Sequence, residues 1–292
     1  MRTRVFAVFS LAVCLPVLAQ HATALRASDA PNISDLSIPF AEAIQNLRAN
    51  QRSVEGLKPT PNVVLEGAES TFIFPVVGSA GVFHTETVLV NRLNRTQRLN
   101  LYYLPIAGGA ANCSKPGRAM DLDAKRMYLF TDFVTDVFGE GGFGSVVVIG
   151  ADSGNNPDSS ARIDGNSRIW SLATGGGTAS QNFPSMSVAV PAGQQSAFGL
   201  RSDEFYRTNW GIFNYDTVTR TFDILFSGFR NPDVQITKDI PPCSLIQERV
   251  PGGPYGSMEI VFAPRDNGGL FYAYGSTVDN ASSDSWSVPG RK

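Results

Sequence analysis

Parts of this 292-residue sequence occur twice, in the same order. A segment that begins near residue 82 aligns with one that begins near residue 205, so that Thr85 falls on Thr208. Further along, residues 143–149 align with residues 255–261. Between these segments the first copy holds an extra glycine-rich stretch. Matched segments in a constant order predict that one folding unit was duplicated, so we expect two similar halves.

Each copy has the periodicity of β-strands. Leu99, Leu101 and Tyr103 alternate with their neighbours, which predicts one inward and one outward face. Residues 145–150 are almost continuously apolar, which is typical of a strand covered on both faces. Only 17% of the residues are charged, and 28 glycines and 18 prolines favour short strands and many turns over a helical bundle.

The sequence therefore predicts an all-β fold of two tandem, duplicated antiparallel β-sandwiches of Ig-like or jelly-roll type, with about seven strands in each. We assign the sandwiches to residues 61–182 and 183–292. Residues 94–96 and 216–218 lie between consecutive strands and are interpreted as hairpin turns.

The N-terminus has the pattern of a secretory signal peptide. Arg2 and Arg4 precede an apolar run at residues 5–19 that is too short for a membrane span, and small residues follow at cleavage-like spacing. We predict a signal peptide over residues 1–24 and a secreted protein, extracellular or periplasmic, without a membrane span.

Residues 25–60 are predicted to be a lead-in or linker with a short helix, and a propeptide is the alternative. Ser37 is the expected N-cap, Pro39 lies in the expected first turn, and apolar residues recur at helical spacing: Phe40, Ile44 and Leu47.

A glycine motif at residues 139–146, GEGGFGSV, matches the nucleotide loop of protein kinases and contains the G-x-G-x-x-G of dinucleotide sites. A kinase needs a lysine on the next strand, but no lysine follows before Lys238. A dinucleotide site needs a helix after the glycines, but a β-branched run follows. We interpret the glycines as turn residues that lead into a buried strand. We predict no nucleotide, no cofactor and, at a net charge of −2 without a basic stripe, no nucleic-acid partner.

The sequence offers few catalytic groups. Its two histidines are His21, near the predicted cleavage region, and His84, which we interpret as a solvent-facing strand residue. No G-x-S-x-G motif accompanies them, so no Ser-His-Asp triad is predicted. Paired carboxylates of a polysaccharide hydrolase are the alternative, with these candidates: Asp132, Asp136, Glu140, Asp203, Glu204 and Glu248.

Two further groups could bind ligands. Asp152, Asn155 and Asp158 could offer oxygens to calcium, but they lack EF-hand spacing and an ordinary Asn/Asp/Gly turn is favoured. A carbohydrate-stacking face is one interpretation of the strand aromatics and a buried core is the other; these aromatics are Trp170, Trp210, Trp286, Tyr272 and Tyr274.

Two of the three cysteines, Cys113 and Cys243, lie outside the predicted signal peptide. In an oxidising compartment such a pair favours a disulfide, with two separate thiols as the alternative. No C-x-x-C or Cys/His cluster indicates a zinc site.

The segments FYRTNWGIFN (Phe205 to Asn214) and FYAYGSTVDNASSDSWSVP (Phe271 to Pro289) resemble a β-sandwich module of predicted secreted bacterial proteins. The shared features are an F-R-T-N strand opening and a Y-A-x-x-S-x-x-D-N ending. The resemblance covers about residues 60–292 and implies export and a sandwich fold, without an established activity. The first copy departs from it, because His84 replaces the arginine and Glu86 replaces the asparagine.

These observations favour a secreted, non-catalytic binding or adhesion module for an extracellular ligand, such as a carbohydrate or a protein. The alternatives are an exported carboxylate-dependent polysaccharide hydrolase and a structural protein that assembles at a surface. Ligand identity and oligomeric state stay open.

Overall fold

The computed structural model describes residues 30–54, 69–173, 177–187, 193–266 and 269–291. Strands dominate this part of the chain, so the predicted all-β class is confirmed. The predicted signal peptide, residues 1–24, lies outside the described residues.

The N-terminal half holds one α-helix and the first ten strands of the described residues: β1 (Asn32–Pro39), α1 (Phe40–Val54), β2 (Thr71–Ser79), β3 (His84–Asn91), β4 (Gln97–Pro105), β5 (Pro116–Leu122), β6 (Met127–Phe130), β7 (Gly142–Ala151), β8 (Ile163–Leu172), β9 (Thr178–Pro184) and β10 (Met186–Ser187). A 3₁₀ segment (Ile106–Ser114) and a π-helical turn (Val134–Phe138) connect some of them. The C-terminal half continues with β11 (Gln195–Ser202), β12 (Tyr206–Asn214), β13 (Arg220–Gly228), β14 (Val234–Ile240), β15 (Ser244–Arg249), β16 (Gly256–Pro264), β17 (Phe271–Asp279) and β18 (Ser285–Pro289).

The described strands form four antiparallel sheets. Sheet I has the order β6-β3-β8-β9 and sheet II the order β1-β5-β4-β7-β2-β10. Sheet III has the order β15-β12-β17-β18 and sheet IV the order β11-β16-β13-β14. Without the edge strands β1 and β10, sheet II repeats the order of sheet IV, and sheet I repeats the order of sheet III. Each half therefore contains eight corresponding strands rather than the expected seven.

Sheets II and III pack against each other through a shared apolar core. Its members come from both sheets, from α1 and from the ends of β8 and β9, and they include Ile73, Tyr102, Val147, Phe213, Leu245, Tyr272 and Tyr274. A second core fills the space between sheets III and IV around Trp210. Residues Pro31–Lys292 accordingly form one unit by their contacts.

This shared core explains the burial of two strands. In β7, Ser145 to Ala151 are buried on both faces, as the apolar run predicts. In β4 the alternation predicts an outward Tyr102, but Tyr102 is fully buried because the outer face of sheet II is covered by α1 and sheet III. In β13 the alternation holds, because the outer face of sheet IV meets solvent.

The described part of the predicted lead-in, residues 30–54, belongs to the fold. Its helix is confirmed as α1, and Phe40, Ile44 and Leu47 are buried in the shared core. The prediction that Ser37 is the N-cap was wrong, because Ser37 lies in β1. The sequence did not indicate this strand, which pairs with β5 at the edge of sheet II. At the other end, the boundary drawn after residue 182 falls inside β9, which pairs with β8 as far as Pro184.

The hairpin interpretation of residues 94–96 and 216–218 was wrong. The strands on either side of each turn belong to different sheets: β3 to sheet I and β4 to sheet II, then β12 to sheet III and β13 to sheet IV. Each turn is thus an arch that carries the chain across a sandwich.

A buried asparagine holds each arch. Asn214 Nδ2 donates to the carbonyls of Val218, Ile240 and Pro241 at 2.9–3.0 Å. Asn91, which falls on Asn214 in the repeat alignment, donates at 2.8–3.0 Å to three carbonyls at the corresponding places: Arg95, Leu122 and Asp123. The two asparagine side chains therefore stabilise equivalent turns in the two halves.

We expect Asn214→Ala and Asn91→Ala each to lower the free energy of unfolding by about 2–3 kcal/mol, because each leaves buried carbonyls without a donor. Urea unfolding measures this loss. Asn166→Ala, at an exposed position in β8, is the control and should change stability by no more than about 0.5 kcal/mol. A loss at only one of the two arches would contradict their equivalence.

The glycine motif leads into a strand, not a helix. Gly142, the first residue of β7, has φ 90°. At Gly144 a Cβ atom would lie 2.4 Å from the Leu104 carbonyl oxygen, so the neighbouring strand leaves no room for a side chain. The interpretation of these glycines as backbone-geometry residues agrees with both positions.

The extra stretch of the first copy joins the halves. Cys113 in the 3₁₀ segment and Cys243 before β15 form a disulfide with Cα atoms 5.3 Å apart. Next to it, the buried Asn112 Nδ2 donates to the carbonyls of Pro105 and Cys243 at 3.0 and 3.1 Å. The stretch thus docks the first half onto the second.

Candidate functional site

A cleft of about 420 Å³ opens between sheet III of the second half and strands of the first half. Strands β12, β15 and β17 of sheet III form one wall. Strands β8 and β9, together with other residues of the first half, form the opposite wall. Its lining includes Phe83, Ile106, Phe143, Ile169, Ala179, Gln181, Phe183, Arg207, Asn209, Gln247, Val278 and Ser285. Concave sites with apolar walls and a few polar groups are the usual form of ligand sites.

Three of the polar side chains of the cleft come from one face of sheet III. Arg207 and Asn209 are two residues apart in β12 and so point to the same side. Gln247 in β15 pairs with Gly211 and extends this row. At Gly211 a Cβ atom would lie 2.4 Å from the Tyr274 ring, so the glycine leaves room for that ring.

Hydrogen bonds fix two of these groups. Arg207 Nη1 donates to Asn280 Oδ1 at 3.0 Å. Tyr274 Oη donates to Gln247 Oε1 at 2.7 Å, so the amide nitrogen of Gln247 stays available as a donor. No Asp or Glu is found among the described residues that line the cleft, and Arg207 gives it a positive charge.

The opposite wall is mainly aromatic and aliphatic, with Ser171, Ser180 and Gln181 as its polar members. The Phe83 and Phe143 rings are 5.8 Å apart in a T-shaped contact, and Phe83 is 43% exposed. Phe183 is buried and packs edge-on against Tyr274 at 5.7 Å. The cleft therefore places apolar surface opposite hydrogen-bond donors.

The two segments that carry the resemblance to secreted sandwich modules pair with each other. β12 and β17 run antiparallel, with Arg207 opposite Val278 and Asn209 opposite Ser276. Asn280, the last residue of the Y-A-x-x-S-x-x-D-N motif, accepts the hydrogen bond from Arg207. Sequence reasoning did not assign these residues to a site, although the motif contains them and was the signal that could have indicated it.

His84 occupies the place of Arg207 in the first half, half-exposed on the outer face of sheet I as predicted. Its Nδ1 lies 2.8 Å from Asp132 Oδ2, and its ring packs 5.1 Å from Trp170. Ser79 Oγ donates to the same carboxylate at 2.9 Å. Because the hydroxyl bonds to the aspartate and not to the imidazole, the contact between nucleophile and base of a triad is missing.

The other candidate carboxylates lie beside basic groups or backbone donors, and none of them lines the cleft described above. Glu140 bonds Lys115 at 2.6 Å, Glu248 bonds Lys238 at 2.8 Å, and Glu204 lies 4.0 Å from Arg230. Asp136 accepts a hydrogen bond from the Asp132 N–H at 3.2 Å. Asp203 bonds Arg201 at 2.7 Å; burial would raise the Asp203 pKa, but this bond and backbone N–H donors lower it overall.

The aromatic candidates do not form an exposed stacking face, so that interpretation was wrong. Trp210 is fully buried between sheets III and IV, and Tyr272 and Tyr274 lie in the core between sheets II and III. Trp170 is half-buried on sheet I, and Trp286, 37% exposed, packs on Tyr206 in the other half. Large apolar side chains fill the space between stacked sheets, which explains why Trp210, Tyr272 and Tyr274 lie in strands.

The candidate calcium loop is an Asx turn whose oxygens already have donors. Asp152 Oδ1 accepts from the N–H groups of Gly154 and Asn156 at 2.8 and 2.9 Å. The other two candidate ligands accept hydrogen bonds from arginines: Arg98 donates to Asn155 Oδ1 at 2.6 Å, and Arg95 donates to Asp158 at 2.8 Å. In the described ranges, no three His, Cys, Asp or Glu side chains group as a metal site would require.

No protein-family model matches the chain, and the search of curated proteins finds no match. Among solved structures, the chain is similar to the crystal structure of protein 1070 of Thermotoga maritima, with 14% identity and a TM-score of 0.28. That similarity covers 34% of this chain and 93% of the other, and it is too slight to bear on function. In the described part of the chain, no helix is long and apolar enough to cross a membrane.

Proposed function

We propose that this protein is a secreted, non-catalytic binding module that holds its ligand in the cleft between the two halves. The observation that carries the proposal is the cleft itself, where donors from Arg207, Asn209 and Gln247 face an aromatic wall. Such a pairing suits a ligand with a polar edge and an apolar body.

The proposal of secretion is supported by the disulfide, since disulfides persist mainly in oxidising compartments. The proposal of an internal duplication is supported by the common strand order of the halves and by the matching contacts of Asn91 and Asn214. The halves have diverged at the site, because only the second half keeps the arginine and asparagine of the F-R-T-N motif.

Adjacent residues of β9 provide a matched test. Ala179 lines the cleft, whereas the exposed Thr178, the first residue of β9, is not one of its lining residues. We expect Ala179→Trp to fill the cleft and abolish binding of ligands found in a fragment and oligosaccharide screen by ligand-observed NMR. Thr178→Trp should leave their binding unchanged.

Equal binding by both variants would place the ligands elsewhere and contradict the proposed site. Incubation of the bound ligands with the protein tests catalysis. Turnover that disappears on replacement of one candidate carboxylate, such as Asp132→Asn, would favour the hydrolase instead.

A further inference from the structure

The cation of the cleft has no acidic partner. Arg207 is half-buried, and among the described residues it forms no ion pair with a carboxylate. Asp279, the carboxylate at the end of the neighbouring strand, accepts through Oδ1 from the N–H groups of Ala281 and Ser282 at 2.7 and 2.9 Å. A partly desolvated guanidinium without a counter-charge gains strongly from an anion.

The guanidinium is also held in place before a ligand arrives. Nη1 bonds Asn280 Oδ1, and the Asn280 backbone N–H donates to the Phe205 carbonyl at 2.8 Å. This leaves Nε and Nη2 of Arg207, two parallel donors that match the two oxygens of a carboxylate. The amides of Asn209 and Gln247 lie on the same wall and can bond further polar atoms.

We propose that the cleft binds a small organic ligand with a single carboxylate on a flat, apolar body. This inference rests on the proposed binding function. The carboxylate pairs with Arg207, and the body packs on Phe83 and Phe143. One cation among the lining residues matches one negative charge, which favours a carboxylate over a doubly charged phosphate.

The described part of the first half does not repeat this site at the corresponding position. At the position of Arg207 it has His84, whose Nδ1 is already bonded to Asp132. We therefore expect one ligand per chain.

Isothermal titration calorimetry with three probes tests the proposal: phenylacetate, its neutral analogue phenylacetamide, and galacturonate, which represents acidic sugars. We expect phenylacetate to bind with a stoichiometry of one and about tenfold more tightly than phenylacetamide. Galacturonate, which lacks a flat apolar body, should bind more weakly than phenylacetate, and its binding without that of phenylacetate would contradict the proposed body. Arg207→Gln should weaken binding of the acid about tenfold or more and leave the amide unchanged. Arg230→Gln, at an exposed arginine outside the cleft, is the control and should bind as the wild type does.

The outcomes separate the two proposals. Equal affinity for acid and amide, or an Arg207→Gln variant that binds the acid normally, would overturn the carboxylate inference. If neutral fragments bind in the cleft and are blocked by Ala179→Trp while both acids fail to bind, only the carboxylate inference falls. If nothing binds in the cleft, both fall. Thermal unfolding of each variant confirms that it is folded.

Discussion

Replacing the disulfide cysteines, as Cys113→Ser with Cys243→Ala, should lower the free energy of unfolding by about 3–5 kcal/mol. The two residues are 130 positions apart, so the bond closes a very long loop in the unfolded chain. In the chain-entropy model a loop of this length gives about 5 kcal/mol, which is the upper end of the expected range. Urea unfolding followed by fluorescence of the buried Trp210 measures the loss.

Reduction of the wild-type protein provides the control, because it removes the bond without changing a side chain. Reduced wild type and the double variant should have similar midpoints, and reductant should not destabilise the variant further. A loss below about 1 kcal/mol would mean that the shared core alone holds the halves together.

Local patterns were sufficient for several elements of this fold, although not for β1. The alternation at Phe222, Ile224 and Phe226 and the helical spacing of Phe40, Ile44 and Leu47 each reflect one chain segment facing one core, so periodicity reveals them. The continuous apolar run of β7 also shows locally, because a strand covered on both faces needs apolar residues at successive positions.

Pairing between strands could not be derived in this way, because it depends on residues far apart in the chain. The turns after Asn91 and Asn214 look like hairpin turns, yet they join different sheets. The ladders also correct the repeat alignment: Leu101 pairs with Val148 and Ile224 with Phe262. Val148 therefore corresponds to Phe262, two residues beyond the position that sequence similarity suggests. A shift by two residues leaves the same face of the strand inward, so the apolar pattern does not reveal it.

The candidate site was missed for a related reason. The cleft lies between strands of the two halves, and no local pattern encodes how the halves pack against each other. Arg207 and Asn209 were visible in a motif, but the aromatic wall comes from the other half: Phe83, Phe143 and Phe183. The strand aromatics that drew attention instead, such as Trp210, belong to the cores.

Sheet IV ends the stack of sheets, and the polar side chains on its outer face explain why. Sheet IV corresponds to sheet II in strand order. However, its outer face carries ion pairs and hydroxyl contacts, such as Arg265 with Asp223 at 2.8 Å and Thr221 with Asp239 at 2.6 Å. Polar outer faces are what terminal units of a stack require, and this face gives no support to assembly through continued stacking.

Asp216→Ala should be among the most destabilising single substitutions, at about 3–5 kcal/mol. Asp216 is 1% exposed, and its carboxylate joins Arg220 at 2.7 Å and Arg48 of α1 at 3.0 Å. The variant leaves both guanidinium groups without this partner in partly buried positions. Asp223→Ala removes the partner of Arg265 on the solvent-facing side of sheet IV, and as the matched control it should lose much less.

The same carboxylate predicts a pH dependence. Burial would raise the pKa of Asp216, but hydrogen bonds from Arg220 and the Thr217 N–H, together with the charge of Arg48, lower it overall. Its contribution to stability is therefore complete above the unfolded pKa of about 3.9 and is lost as the pH falls below that value towards the folded pKa. Urea unfolding of wild type and Asp216→Ala between pH 6 and pH 2, a range chosen to span about two units on either side of that pKa, should show the difference shrinking in acid. A difference that stays constant would mean that the carboxylate acts through packing and not through its charge.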